Sequence, residues 1–270
     1  MLVAFAVVMQ MAVSPAPPKP SDFPQIKKLA DNVYVWSDIH PSGTYTTNDL
    51  IVITTDGVFV ADGQKDAETT RKMVERIRTL TSQPIKVVVM GSEHGDHTGG
   101  NASFPSTATI IKSPLAEGKR KTLKMGATEI QILDNGRAHT GTDLEVYLPK
   151  EKILFVSEVF SNHIFPNMRA AVPSEWIQTV KNARTLEAST VIPGHGYIED
   201  GHTMVTAFAE FQKSLEYIVA EATRLHKAGL SVDAATKQAN WGPYANWAAA
   251  DRNASVAIQR VYDELDGKLK

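Results

Sequence analysis

Residues 85–90, Ile85-Lys86-Val87-Val88-Val89-Met90, read as a buried β-strand, and they run straight into Gly91-Ser92-Glu93-His94-Gly95-Asp96-His97-Thr98-Gly99-Gly100. A strand followed by two imidazoles and a carboxylate within four residues, in the company of four glycines, constrains the fold, because open α/β sheets gather their ligands at strand C-termini. Neutral imidazole nitrogen and carboxylate oxygen suit a borderline cation such as zinc. Glycine lets the backbone turn sharply enough for neighbouring side chains to converge. The loop is a candidate metal site, more so if further ligands arrive from elsewhere in the chain; a polar surface loop that happens to carry two histidines is the alternative.

The rest of the pattern is a βα alternation. Strands are expected at residues 32–36, 50–54 and 58–61, the last two joined as a hairpin by Thr55-Asp56-Gly57. Residues 66–80 place Ala67, Thr70, Val74, Ile77 and Leu80 on one helical face. Further strands are expected at 109–111, 129–132, 144–148 and 153–156, and one at 191–192 that ends in Pro193-Gly194-His195-Gly196. Helices are expected at 173–187, with Pro173 in the first turn where its missing N–H costs little, and at 202–228, 232–238 and 246–265. The pattern predicts an α/β protein of two βα-rich halves sharing one core, closed by C-terminal helices.

With 270 residues and 43% hydrophobic content, the chain can bury one large core, and residues 21–270 are expected to form one domain. A formal net charge of -2 gives no electrostatic case for nucleic acid or an anionic membrane. There is no cysteine, which excludes disulfides, thiolate metal sites and a cysteine nucleophile. Any metal must be held by histidine, carboxylate and water. The apolar run from Leu2 to Val13 is too short to span a bilayer, although no Lys or Arg precedes it; with the proline-rich spacer at 14–20 it reads as a leader. Export, to a periplasm or outside the cell, is the expectation, and a cytoplasmic protein with a tucked-in N-terminal element is the alternative.

Four of the eight histidines stand next to glycine or aspartate, or two residues from one, at expected strand ends: His94, His97, His139 and His195. His139 lies in Arg137-Ala138-His139-Thr140-Gly141-Thr142-Asp143, just before a strand. Glu158 follows the hydrophobic strand 153–156, where a buried carboxylate is costly unless something charged meets it. Any one of these is more often a satisfied hydrogen bond or a structural ion pair. Four such ends in one chain argue for a common centre. His40, in Asp38-Ile39-His40-Pro41, and His163, near Phe165-Pro166-Asn167-Met168-Arg169, are lesser candidates for substrate contact; His202 and His226 fall in helical segments.

From about Asn32 to Gly196 the order of these motifs resembles the metallo-β-lactamase-fold hydrolase superfamily, and residues 58–63 are similar to that family's early strand and its aspartate, here Asp62. The resemblance implies a four-layer αββα sandwich with a metal site on one edge between the sheets. Carried over by position, it implies His94 and His139 for a first metal, Asp96, His97 and His195 for a second, and Glu158 at the bridging place. Two departures stand out: Ser92 replaces the first histidine of the HxHxDH motif, and Glu158 is one methylene longer than the usual aspartate. Ser92 is a poor zinc ligand, better suited to hydrogen-bond a coordinated water. Glu93 is a further candidate contact, although an extended backbone would point it the other way.

The resemblance implies a zinc-dependent hydrolase holding one or two ions, with iron or manganese as alternatives. Water with its pKa lowered towards about 7 is the expected nucleophile, with Asp96 orienting it and Glu158 bridging or accepting its proton. Among the family's substrates, RNA is disfavoured by the net charge and the lack of a basic, aromatic-rich stretch, and Lys181, Arg184 and Arg224 are too scattered to show a glutathione pocket. A small-molecule cyclic amide or ester, β-lactam-like or lactone-like, is the expectation. The alternatives are a degenerate, non-catalytic metal-binding protein and an iron-dependent redox member of the fold. The flavin-linked di-iron members carry glutamate where this chain has His94. The oligomeric state is left open.

Overall fold

A computed structural model describes residues 19–269, so the apolar run read as a leader and most of the spacer lie outside the described residues. The first half of the chain builds one sheet from β1 (Gln25–Ala30), β2 (Val33–Ile39), β3 (Thr46–Thr54), β4 (Gly57–Ala61), β5 (Ile85–Val89) and β6 (Thr109–Ile111), in that spatial order. β1 to β4 pair antiparallel, whereas β4, β5 and β6 run parallel. The second half builds another from β7 (Arg120–Met125), β8 (Thr128–Leu133), β9 (Glu145–Leu148), β10 (Ile153–Phe155) and β11 (Thr190–Ile192), ordered β11-β10-β9-β8-β7 with β10 and β11 parallel. The helices are α1 (Ala67–Leu80), a single turn α2 (Gly95–Thr98), α3 (Pro173–Arg184), α4 (Gly201–Lys227), α5 (Val232–Gln238) and α6 (Ala250–Leu265).

Strand side chains alternate between faces, and here the alternation sorts residues into layers. Leu50 and Val52 of β3 and Phe59 and Ala61 of β4 face inward, meeting Ile130, Ile132, Val146, Phe155 and Ile192 of the other sheet. Their neighbours Ile51, Val58 and Val60 face outward onto Met73, Val74 and Ile77 of α1. On the second sheet Leu154 and Val191 turn outward to Trp176 of α3, Phe208 and Leu215 of α4 and Ile258 of α6. Helix, sheet, sheet and helix are thus separated by three apolar layers, the αββα sandwich that the resemblance implies. Among the described residues, no helix is long and apolar enough to cross a membrane.

Element ends and edges depart from the sequence reading. β7 is an edge strand whose Arg120, Lys121 and Lys124 read as solvated chain, and it is fully buried only at Met125, so hydrophobic patterning gives no sign of it. β1, with Lys27 and Lys28 at its middle, escapes notice for the same reason. α6 begins at Ala250 rather than near residue 246, because Trp247 N–H closes a turn onto the Tyr244 carbonyl and Ala249 takes a left-handed φ of 62°. α3 ends at Arg184 rather than near residue 187, where Glu187 is left-handed at φ 50°.

Candidate metal centre

The parallel pairs β4/β5 and β10/β11 each deliver polar groups from the loops at their C-terminal ends, and these groups meet. Asp62 follows β4, the histidine loop follows β5, Glu158 follows β10 and His195 follows β11. α2 is fastened to the α1 entrance, with Gly63 N–H donating to the His97 carbonyl at 2.8 Å and Gly100 N–H to the Gln64 carbonyl at 2.9 Å. Asp66 caps α1 by accepting Thr69 N–H at 2.8 Å, which fixes where that entrance lies.

Two sets of donors converge and share one member. Asp96, His97, Glu158 and His195 form one set; His94, His139 and Glu158 form the other, and within each set the ligand atoms lie within 4.8 Å of one another. Ring nitrogens face ring nitrogens: His97 Nε2 is 3.3 Å from His195 Nε2, and His139 Nε2 is 3.2 Å from His94 Nδ1. The far nitrogens of the first pair already have partners, with His195 Nδ1 at 3.2 Å from the Thr46 carbonyl and His97 Nδ1 at 2.9 Å from Asp62 Oδ2. With hydrogens held on those outer atoms, the inner lone pairs point at one another, which is unfavourable in a buried site unless a cation lies between them. The donor set therefore fits a divalent cation, and mixed imidazole and carboxylate suits zinc, iron or manganese.

The charges agree. Burial pushes Glu158 up, but His139, His195 and His94 together hold it well below the usual carboxylate range. Burial also opposes ionisation of Asp96, which hydrogen bonds from His195 and His40 hold far below that range. Burial pulls His97 down, yet Asp62, then Glu158 and Asp96, push it up to about 9. His195 is raised well above its ordinary value against burial, by Asp96 and Glu158. Three carboxylates draw positive charge to this spot, which either imidazole protons or a divalent cation supplies.

The support beneath these ligands crosses between sheets. Asp62 Oδ1 accepts Gly91 N–H at 2.6 Å, and Asp62 Oδ2 accepts the Ser157 hydroxyl at 2.5 Å. A Cβ at Gly91 would sit 2.7 Å from Ser157 Cβ, and one at Gly194 would sit 2.5 Å from the Ser157 carbonyl carbon, so both approaches require glycine. Asn48 Nδ2 donates to the Pro193 and Gly196 carbonyls at 3.0 and 2.9 Å, which anchors the turn carrying His195.

Ser92 is buried; its hydroxyl donates to Glu158 Oε2 and accepts His94 N–H at 3.2 Å. Glu93 is exposed and outside both donor sets, on the rim of a separate depression beside Lys112. His40 lies over the site, its Nε2 3.5 Å from Asp96 Oδ2 and its ring stacked on Tyr45. His163 is exposed, packed edge-on against Trp247 away from the cavity, while His202 is exposed and His226 pairs with Asp266 at 2.9 Å. A cavity of about 480 Å³ opens over the donor sets, and Ile164, Phe165, Arg169 and Arg252 are among the residues that line it. Sequence reasoning missed Ser157 and Arg252 as contributors: neither stands in a motif, and only the fold brings them to the site.

No family model matches the chain. A metallo-beta-lactamase type 2 of Bacillus sp. (strain 170) is 25% identical over 199 residues, covering 65% of this chain and 77% of that protein. One from Elizabethkingia meningoseptica is 25% identical over 199 residues, covering 66% and 78%. Among solved structures, a metallo-beta-lactamase from Pontibacter korlensis superposes with a TM-score of 0.60 at 22% identity, covering 70% of this chain and 98% of its own. An inverting sec-alkylsulfatase from Pseudomonas sp. superposes with a TM-score of 0.73 at 14% identity over 90% of this chain and 50% of its own. The fold and the convergent donor sets define a metal-binding αββα protein. The chain has the metallo-β-lactamase fold, and these relatives together with its two donor sets support a metal-dependent hydrolase.

Proposed function

We propose that this protein hydrolyses a small anionic molecule at a cyclic amide or ester, with zinc as the resident ion and iron or manganese as the alternatives. The observation that carries the reading is the cavity itself: its lining sets Arg169 and Arg252 beside the two donor sets. Neither guanidinium has a hydrogen-bond or ion-pair partner among the described residues. A planar fork of donors matches a carboxylate or other oxyanion, while Ile164 and Phe165 offer an apolar wall.

Asp96, His97, His195 and Glu158 would hold one ion and His94, His139 and Glu158 another. A divalent cation held there supplies Lewis acidity, making water a competent nucleophile near neutral pH and stabilising the charge that develops on the attacked group. Asp96 is the partly exposed carboxylate of its set, and so the one able to orient an attacking water and take its proton. His40 Nδ1 accepts Ser42 N–H at 3.0 Å, which leaves its hydrogen on Nε2, facing Asp96 and the cavity. From there it can donate a hydrogen bond to Asp96 or to an oxygen of the substrate. Arg169 and Arg252 orient the substrate through its anionic end.

A second reading is hydrolysis of a sulfate ester. The broad superposition on the alkylsulfatase favours it, and the same two guanidiniums would receive the sulfate oxygens. A panel of chromogenic β-lactam, lactone and alkyl sulfate reporters, run with and without chelator, separates the candidates. Activity is expected to vanish in His97→Ala and His195→Ala and on chelation; full turnover in both variants would sink the metal-dependent scheme.

A further inference from the structure

The cavity over the donor sets borders a second depression, of about 340 Å³, and Arg169 and Val256 line both. On α6 the lining follows one helical face: Arg252 and Val256 in the first cavity, then Val256, Gln259 and Asp263 in the second, at helical spacings of three and four. From Arg252 to Asp263 that face is about 16 Å long. Val232, the first residue of α5, stands on the other side, and both valines are half-buried.

The two depressions differ in charge. At their boundary the Arg169 and Arg252 guanidiniums have no hydrogen-bond or ion-pair partner among the described residues. Beyond it the charged groups are already met: Arg260 Nε donates to the Ala171 carbonyl at 2.5 Å, and Asp263 Oδ1 accepts Gln259 Nε2 at 2.9 Å with Lys268 Nζ at 3.7 Å. An ionised group placed there would be buried against charges that are already paired, which is costly. The two valines offer aliphatic surface that is released from water when an apolar group covers it.

We propose that the groove between α5 and α6 is a substrate subsite for an uncharged aliphatic or aromatic substituent, and that Val232, Val256 and Gln259 set its preference. The inference rests on the reading of Arg169 and Arg252 as the pair that holds the substrate's anionic group. With that group at the guanidiniums and the scissile bond at the donor sets, the rest of the molecule passes Val256 into the groove. The substrate is then amphiphilic: an anion that carries an extended apolar arm.

Calorimetric titration of the zinc-loaded protein with 1-octanesulfonate and with ethanesulfonate tests this. The two probes share the anion, differ only in the arm, and carry no ester to hydrolyse. A fully buried methylene tightens binding roughly fourfold, so octanesulfonate should bind about tenfold or more tighter than ethanesulfonate, at a single site per chain. Val232→Thr combined with Val256→Thr should lower that ratio about threefold or more. Gln259→Leu, at an exposed position on the groove, should raise it. A ratio near one in the wild type, or the same ratio in all three proteins, overturns the proposal, as does octanesulfonate binding at several loose sites per chain. Should the double threonine variant fail to fold, Gln259→Leu decides alone. Failure of the underlying reading shows separately: equal affinity of wild type, Arg169→Ala and Arg252→Ala for ethanesulfonate removes the anion-holding pair, while the ratio still judges the groove.

Discussion

Asp62 and Ser157 meet at 2.5 Å across the gap between the two sheets, the serine hydroxyl donating to the aspartate carboxylate. Both residues hold left-handed backbone, at φ 65° and 44°, a conformation that costs a non-glycine residue and persists where the surroundings over-determine it. Asp62 follows β4 and Ser157 follows β10, so the pair fixes the sheet spacing where His97 and Glu158 leave it. Asp62→Asn keeps the shape and removes the anion behind His97. Metal affinity should fall about 10–100-fold in a competition titration, with the far-UV spectrum unchanged.

Gly194 has no room for a side chain against the backbone of Ser157 and Glu158. Gly194→Ala must displace one of those segments, and overpacking of this kind costs about 1–3 kcal/mol. Denaturant unfolding should show that loss, and the displaced Glu158 should lower metal affinity in the same protein. Gly141→Ala is the control: a Cβ there would meet nothing within 4 Å, so its unfolding midpoint should stay with the wild type.

Arg252→Ala and Arg169→Ala test the reading of the cavity. Each removes one charged donor from an anionic substrate, and a hydrogen bond to a charged group contributes about 1.5–3 kcal/mol. KM should rise roughly 10–100-fold for an anionic reporter and stay level for its uncharged analogue, with metal content unchanged. A rise in salt concentration should weaken the wild type toward the variants.

Glu145 gives a pH signature away from the metal ligands. Burial pushes its carboxyl up to about 8, against a hydrogen bond from Asn135 that pulls it down. The folded chain therefore keeps a proton that the unfolded chain, near the ordinary 4.5, gives up. The stability this contributes is complete below about pH 4.5 and is lost as pH rises through about 8. Relative to Glu145→Gln, wild-type unfolding free energy should decline over that window, by about 1.4 kcal/mol for each tenfold difference in proton affinity between the two states.

Much of this layout is legible in the sequence because it follows from periodicity. Leu50 and Val52 against Ile51, or Met73, Val74 and Ile77 along α1, declare their faces through spacings of two and of three to four. The candidate donors are legible because imidazole and carboxylate near glycine at strand ends are unusual company. The contact of Ser92 with Glu158 is not, since it joins residues 66 apart in the chain and depends on which way a carboxylate turns. Arg252 is invisible for a similar reason: on α6 it reads as one solvated cation among many until the helix is docked over the cavity.

That docking has a consequence. α6 packs chiefly on α3, α4 and α5, whereas every donor of the two sets sits on a loop or single turn that follows a sheet strand. Arg252 therefore reaches the cavity from a scaffold that carries none of the donors, whereas Arg169 comes from the segment that follows Glu158. On the proposed reading, substitutions that re-seat α6 are expected to change which molecules the cavity accepts while the donor sets stay as they were.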